Sequence, residues 1–441
     1  MRIAPLLRTL PATSPLPFCR FSGIFPIATS LLPPHFPALY CIQGNSVKLN
    51  IERLSSVPVH TQQVEIVERK GKGHPDTICD RAAEELSITL SRYYLERFGR
   101  VLHHNVDKCI LAGGSSEVAF GGGRVTKPIY LLLVGRATSE VGGTPVPIGE
   151  MVVEGTRMWL KETFRFLDIN KDIEIEHRIR PGSIDLVAAF EKGGEVPLAN
   201  DTSIGVSFYP LSETERLVRE VEIYLNSREV KVVHPYTGED IKVMGVRIGD
   251  EITLTVAVAF ISSLIPSLKD YMEIKKNVSS LVTSFCSGIT DRKVSVAVNT
   301  ADVPEREAVY ITVTGTSAES GDDGQVGRGN RVGGLITPYR PMTLEATAGK
   351  NAISHVGKLY NIVARNIAER VASADGVEDV YCYLVIRIGR PITEPQAVDL
   401  KVRSGLDDGE VKRITEEAVE MELKGLPFLW KKVINREFEL F

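Results

Sequence analysis

The 441-residue chain holds only six cysteines (Cys19, Cys41, Cys79, Cys109, Cys286 and Cys382), and none stands in a C-x-x-C pair. Such scatter argues against a structural zinc site or a redox motif and fits a reducing, cytoplasmic setting. No run approaches the about 18 consecutive apolar residues of a bilayer-spanning helix, so no membrane segment is expected. A basic excess is missing too. The 52 lysines and arginines face 56 acidic residues, for a net charge of -4, which offers no overall field for nucleic acid or an anionic membrane. The common nucleotide motifs are absent: there is no G-x-x-x-x-G-K-[S/T], and Gly327-Arg-Gly-Asn-Arg-Val-Gly333 has one residue too many for G-x-G-x-x-G. The pair His103-His104 lacks partners at metal-ligand spacing and is expected to be structural.

What is present is ordinary globular composition, 43% hydrophobic and 24% charged, with a length that allows about three domains at about 150 residues each. Residues 1–46 stand apart. They carry eight of the 24 prolines, three arginines and no acidic residue, and the prolines interrupt every apolar stretch. The expectation is a disordered or mis-assigned N-terminal extension, with an organelle-type transit segment as the competing reading. The folded body is expected over 47–441.

Within that body strand-like and helix-like segments alternate. Ile78, Ala82, Leu86, Leu90 and Tyr93 keep helical spacing between Pro75 and Gly99. Further helices are expected over 151–167, 212–226, 268–285, 352–372 and 407–423, the second opened by a Ser212/Glu215 capping box. Strands are expected over 109–112, 128–134, 173–179, 203–208, 252–260, 294–298, 309–313 and 380–388. This reads as α/β or α+β with two or three sheet-and-helix units and no convincing sequence repeat.

Four segments depart from what a packed core would choose. In Glu68-Arg-Lys-Gly-Lys-Gly-His-Pro-Asp-Thr-Ile-Cys-Asp80, two glycines permit close backbone approach, and His74 and Asp76 fall at a helix N-terminus, a ready phosphate site. A carboxylate beside phosphate needs an intervening cation, so Asp76 points to magnesium. The bland alternative has His74 capping the helix and Asp76 only offsetting its dipole. The turn Arg180-Pro-Gly-Ser-Ile-Asp-Leu186 follows a strand and could hold a nucleotide, or be a plain turn. Around Leu198-Ala-Asn-Asp-Thr-Ser, Asp201 could hold a substrate ammonium, and in Glu239-Asp-Ile-Lys242 the lysine could hold a phosphate, though solvated loops look alike. The fourth segment, 315–334, has seven glycines in 20 residues, a composition that costs a core much entropy. Its Arg328 and Arg331 could grip phosphate oxygens, and Lys350 and His355 open the helix that follows.

Taken together, Gly-His74-Pro-Asp76-x-Ile-Cys-Asp80, Asn200-Asp201-Thr-Ser, Glu239-Asp-Ile-Lys242-Val-Met-Gly and Gly315-Thr-Ser-Ala-Glu through Gly327-Arg-Gly-Asn resemble the S-adenosylmethionine synthetase (methionine adenosyltransferase) family, in its archaeal-type branch, over about residues 47 to 441. The resemblance implies three related α/β domains around a pseudo-threefold axis and a homodimer with shared active sites. It implies attack of the L-methionine sulfur on C5′ of ATP, expulsion of triphosphate and its hydrolysis to phosphate and diphosphate. Position by position it implies His74 at the ribose–triphosphate oxygen, Asp76 as a Mg2+ ligand, and Lys242, Arg328 and Lys350 on the triphosphate. Asp322 would contact ATP and methionine, Asp201 the methionine ammonium, and Arg180, Pro181, Gly182, Ser183, Ile184 and Asp185 would form the nucleotide loop.

There are departures. The loop begins Arg-Pro-Gly where the branch usually has Gly-Gln-Gly. Bacterial and eukaryotic relatives carry lysine after His-Pro-Asp and a basic residue after the phosphate arginine, where this chain has Thr77 and Gly329; Arg331 and His355 are the candidates to restore that charge. The potassium-site glutamate aligns poorly near 104–107, which leaves a K+ requirement open. Two other classes stay open on sequence: a non-catalytic nucleotide-binding regulatory homologue, against which His74, Asp76 and Lys350 all speak, and another ATP-dependent small-molecule transferase, such as a kinase releasing ADP.

Overall fold

The computed structural model describes residues 48–183 and 194–441, with the backbone alone of 40–41, all within one unit, Pro37–Phe441. The elements that frame the site follow in chain order: β1 (Lys48–Arg53), β2 (Val64–Lys70), α1 (Pro75–Phe98), β3 (His104–Ala112), the hairpin β4 (Ser115–Ala119) and β5 (Gly122–Lys127), β6 (Ile129–Ala137), α2 (Ile148–Thr163) and β7 (Ile173–Arg180). Then come β8 (Ser203–Tyr209), α3 (Glu213–Leu225), β9 (Thr237–Ile248), β10 (Glu251–Ile261), α4 (Leu268–Ser287), β11 (Lys293–Val298), β12 (Gly324–Gln325), α5 (Val356–Ala372), β13 (Val377–Ile386), β14 (Ala397–Ser404) and α6 (Asp408–Gly425).

These strands form three main sheets with one repeated polarity. In the first, β1 runs parallel to β14, which is antiparallel to β13, itself antiparallel to β8. The order β7, β6, β3, β12 repeats parallel, antiparallel, antiparallel, and so does β11, β10, β9, β2. Each sheet packs helices on one face over its own core: α5 and α6 on the first, α1 and α2 on the second, α3 and α4 on the third. The expected mixed α/β fold of related sheet-and-helix units is therefore present, and it is interleaved. β1 and β2, eleven residues apart (53 to 64), belong to different sheets, and β12 reaches back to pair with β3.

Several elements differ from expectation for physical reasons. The second helix runs Ile148–Thr163, three residues earlier than the apolar pattern predicts, and α5 starts at Val356, because His355 caps it and 352–355 form a turn. The strand expected at 309–313 shrinks to Ile311–Thr312. Strands β1, β2, β9, β12 and β14 and the β4–β5 hairpin lie where no strand is predicted from the sequence.

Helix α1 organises the centre. Pro75 fits its first turn, Gly99 ends it at φ 72°, and Ile78, Ala82, Leu86 and Leu90 are buried in the core beneath. Half a turn away, Asp76, Asp80 and Glu84 recur every four residues and so line one face. Each accepts a backbone N–H from an incoming loop: Asp76 Oδ1 from Gln325 at 2.9 Å, Asp80 Oδ1 from Gly327 at 2.9 Å and Glu84 Oε2 from Gly349 at 3.0 Å. Gly324 permits the approach, since a Cβ there would stand 2.3 Å from the Pro75 carbonyl.

Two predictions follow from this row. Glu84 is paired with fully buried Lys358 at 2.6 Å. Lys358→Met leaves a buried carboxylate unpaired and is expected to cost about 3–5 kcal/mol, while Lys358→Met combined with Glu84→Gln recovers most of it because glutamine still accepts the Gly349 N–H. Urea unfolding checks both, and an unaffected single variant would contradict this account. Burial, partly countered by the Gly327 N–H and Arg331, raises the Asp80 pKa to about 7. Folded protein thus holds this proton more tightly than unfolded chain, so the residue lowers stability progressively as pH climbs from about 4 to 7. Asp80→Asn is expected to flatten that part of the stability–pH curve, measured as the urea midpoint at fixed ionic strength.

Candidate functional site

The turn before α1 is welded to strand β9. Gly71 N donates to Ile241 O at 2.7 Å and Gly73 N to Glu239 O at 3.1 Å. A Cβ on Gly73 would lie 2.3 Å from Asp240 N, so only glycine fits. The glycine-rich segment closes the other side: Thr316 Oγ1 donates to Gly73 O at 2.7 Å, Asp240 N to Gly315 O at 2.9 Å, and Ser317 Oγ to Asp240 Oδ2 at 2.7 Å. Three of the four segments singled out in the sequence therefore meet at one point.

His74 stands there as the α1 cap, and its Nδ1 accepts the Asp76 N–H at 3.2 Å. Burial lowers its pKa, against the pull of Asp240 and Asp76. The ring is accordingly neutral near pH 7 with its proton on Nε2, the nitrogen left free to donate. Asp240 lies 3% exposed beneath it, with a pKa raised by burial, and also accepts from Tyr310 OH at 3.2 Å.

Cations gather beside this histidine. Lys242 on β9 and Lys70 on β2 are cross-strand partners and so share a face. Lys70 Nζ lies 2.9 Å from Asp76 Oδ2 and 2.8 Å from Arg328 O, while Lys242 Nζ is 3.0 Å from Glu68 Oε1. Arg328 is exposed at the tip of a loop held from several directions. Asp80 takes the Gly327 N–H, Arg331 donates to Gly327 O at 2.7 Å and Gly329 O at 3.3 Å, and Asn330 bonds both the N–H and the carbonyl of Lys70. Arg331 thus points into the loop it supports, which corrects its reading as a phosphate ligand. Asp322 is exposed just after Gly321 (φ 90°), and its charge reaches Tyr310.

A second group of residues flanks β3. Lys350 Nζ sits 2.9 Å from Glu345 Oε1 and 3.5 Å from Asp107 Oδ2. It shares a cavity of about 520 Å³ with Arg328, Gln325 and Asp107. On the other side of Asp107 a cavity of about 430 Å³ is lined by Asp201, Asn200, His103, His355 and Arg136. Asp201 is exposed as a residue, yet lost hydration of its carboxylate, together with nearby Glu345 and Asp107, raises its pKa against the Thr202 N–H and Lys350. Arg180 ends β7 in register with Arg136, so the Arg180-Pro181-Gly182-Ser183 turn departs from the strand edge beside this cavity. Ile184 and Asp185 lie outside the described residues. Burial and then Lys350 lower the His355 pKa to about 3, so the ring is neutral and cannot supply the charge missing at Thr77 and Gly329. His104 is structural as expected, bonded to Ser87 at 2.8 Å and to Leu102 O at 3.0 Å, whereas His103 lines the Asp201 cavity.

Sequence reasoning passed over Lys70, Asp240, Asp107 and Glu345. Lys70 and Asp240 lie inside quoted motifs, whereas Asp107 and Glu345 lie outside the four segments. Among the described residues no cluster of three or more His, Cys, Asp or Glu side chains is placed to hold a metal. Asp76 supplies a hard carboxylate whose Oδ1 takes the Gln325 N–H and whose Oδ2 rests on Lys70; a single carboxylate of this kind suits a cation that takes its remaining ligands from phosphate and water and does not suit an all-protein cage.

Residues 47–437 match the family model for S-adenosylmethionine synthetase (AdoMet synthetase). The chain is 57% identical over 389 residues to a probable S-adenosylmethionine synthase of Aquifex aeolicus, covering 86% of this chain and 96% of the relative. It is 50% identical over 394 residues to the S-adenosylmethionine synthase of Aeropyrum pernix, covering 87% and 97%. Among solved structures, an unusual S-adenosylmethionine synthetase from Campylobacter jejuni shares the fold at a TM-score of 0.55 and 14% identity, over 85% of this chain and 94% of that one. The chain belongs to the S-adenosylmethionine synthetase family.

Proposed function

We propose that the protein is a methionine adenosyltransferase that makes S-adenosyl-L-methionine from ATP and L-methionine. The observation that carries the reading is the meeting of a neutral, capped His74 with Lys70, Lys242 and the Arg328 loop at the N-terminus of α1. The thioether sulfur carries no proton, so its attack on C5′ needs no general base. A lone pair of sulfur forms the S–C bond as the C5′–O bond breaks, and the electron pair leaves on the triphosphate. The barrier lies in aligning two substrates and stabilising that charge.

In this reading His74 Nε2–H donates to the departing oxygen. Lys242, Arg328 and Lys350 face the phosphates, and Lys70 takes the place of the lysine that other relatives carry at Thr77, since its ammonium already sits on Asp76. At Gly329 a side chain has no room, because a Cβ there would come within 2.7 Å of Asp80 Oδ2. Asp201 receives the methionine ammonium, Asp322 contacts ATP and methionine, and the 180–185 loop covers the nucleotide. Magnesium on Asp76 would neutralise the triphosphate further. In this reading two copies of the chain form a homodimer with shared active sites. Water then cleaves the bound triphosphate to phosphate and diphosphate. The same reading takes the three sheet-and-helix units as the domains of the 47–441 body and leaves residues 1–46 outside it.

Three measurements test this. Incubation with ATP and methionine is expected to yield a sulfonium product with equal phosphate and diphosphate; ADP instead would indicate a kinase. His74→Ala is expected to fold normally and lose about 10²-fold in kcat, and near wild-type turnover at saturating substrate would remove His74 from the mechanism. Arg328→Lys keeps the charge but cannot bind two oxygens as a fork. Turnover is expected to fall with methionine KM unchanged, and EDTA to abolish activity until magnesium is restored. A variant that raises only the methionine KM would mean that the triphosphate lies elsewhere.

A further inference from the structure

Residues 439–441 lie beyond the 47–437 span of the family match, yet they touch both loops that carry the assigned triphosphate cations. Glu439 O accepts from Gly333 N at 3.3 Å, and Leu440 O accepts from Thr347 Oγ1 at 3.0 Å. The Glu439 carboxylate reaches Arg69 Nη1 at 3.1 Å and Arg219 Nη2 at 2.6 Å. Arg69, only 8% exposed, donates in turn to Gly334 O and pairs with Glu222 at 2.6 Å. Leu440 belongs to the core of the first sheet, Phe441 packs against the cores of the first and second, and Arg69 and Arg219 belong to the third.

We propose that residues 439–441 are a positioning clasp for the triphosphate site, acting through Arg328 and Lys350 and touching no substrate themselves. The geometry runs in two short chains. The glycine-rich segment is pinned at its start by Asp240 and Thr316, but Gly333 and Gly334 at its end have φ of 97° and 82° and no side chains to lock them. Glu439, directly and through Arg69, fixes that end. Arg331, two residues earlier, can then hold the Gly327 and Gly329 carbonyls on either side of Arg328. The other chain fixes Thr347, whose carbonyl accepts the Lys350 N–H at 3.4 Å, and so sets the start of the turn that carries Lys350. One tripeptide thereby sets the spacing of two loops 22 residues apart (328 to 350).

This inference rests on the proposed triphosphate site, and the test separates the two. Inorganic tripolyphosphate is the probe, titrated with magnesium into the full chain by calorimetry, beside kcat and KM for product formation and melting temperature. Arg328→Ala serves as the reference. With Arg328→Ala weakening tripolyphosphate binding, Glu439→Ala combined with Thr347→Val is expected to lower both that affinity and kcat about 10-fold at a temperature where the variant is fully folded. Methionine KM is expected to stay unchanged, and Glu439→Asp with Thr347 intact to restore most of the loss. Wild-type affinity and kcat in the double variant would overturn the clasp while leaving the site standing, as would losses that merely track the melting temperature. If the double variant does not fold, Glu439→Gln alone is read by the same criteria. Unchanged tripolyphosphate binding in Arg328→Ala would overturn the site and the clasp together.

Discussion

The centre of this molecule depends on a row of carboxylates on one helix accepting backbone N–H groups from glycine-rich loops. Asp76, Asp80 and Glu84 fall on one face of α1 because they recur every four residues, and the loops at Gln325, Gly327 and Gly349 hang on them. Charged acceptors make strong bonds to amides, and a helix supplies a spacing that loops cannot supply for themselves. The glycines are the other half of the arrangement. Gly324 lets the backbone lie against the first turn of α1, so the segment that carries Arg328 is placed by its main chain while its side chain remains free for chemistry.

Buried charge on that scale has to be matched. The lysines at the proposed phosphate site already rest against acids: Lys70 on Asp76, Lys242 on Glu68, Lys350 on Glu345 and Asp107. Bare ammonium groups converging at this density would repel one another and lose hydration. The carboxylates hold them in place. On the proposed function, triphosphate binding exchanges these partners, and selectivity for a polyanion over a single phosphate comes from replacing several carboxylate contacts at once. Lys358 and Glu84 lie deeper in the same network with no opening to solvent, and there the pair serves to hold a turn.

Much of the architecture was legible in the sequence, and the gaps have particular causes. Helix α1 was readable at both ends because proline and glycine mark them, and α3 because Ser212 and Glu215 form a capping box that is present as read. Strand β9 was missed. It begins Thr237-Gly-Glu-Asp, which has the composition of a loop, and its burial comes from β2, far away in sequence, and from β10, which follows it across a tight turn. The repeated polarity of the three sheets left no sequence repeat, since strand order is set by contacts across the chain and not by residue identity. At the site, types were legible and directions were not. Arg328 and Arg331 look equivalent on paper. Only the fold shows one exposed and the other turned back onto the carbonyls of its own loop.

The two loops that face the proposed leaving group are thus governed from behind. Toward solvent they present Arg328 and, in a partly shielded cavity, Lys350. Behind them stand the α1 carboxylates, Arg331 and residues 439–441, none of which needs to touch substrate. That division suits a reaction without proton abstraction. When a mechanism needs a tuned base, one perturbed side chain can dominate it; when it needs a large charge held still while a C–O bond breaks, placement is the chemistry. His74 fits the same logic. Its capping bond to Asp76 fixes both its tautomer and its direction, so the same contact that begins the helix aims the donor.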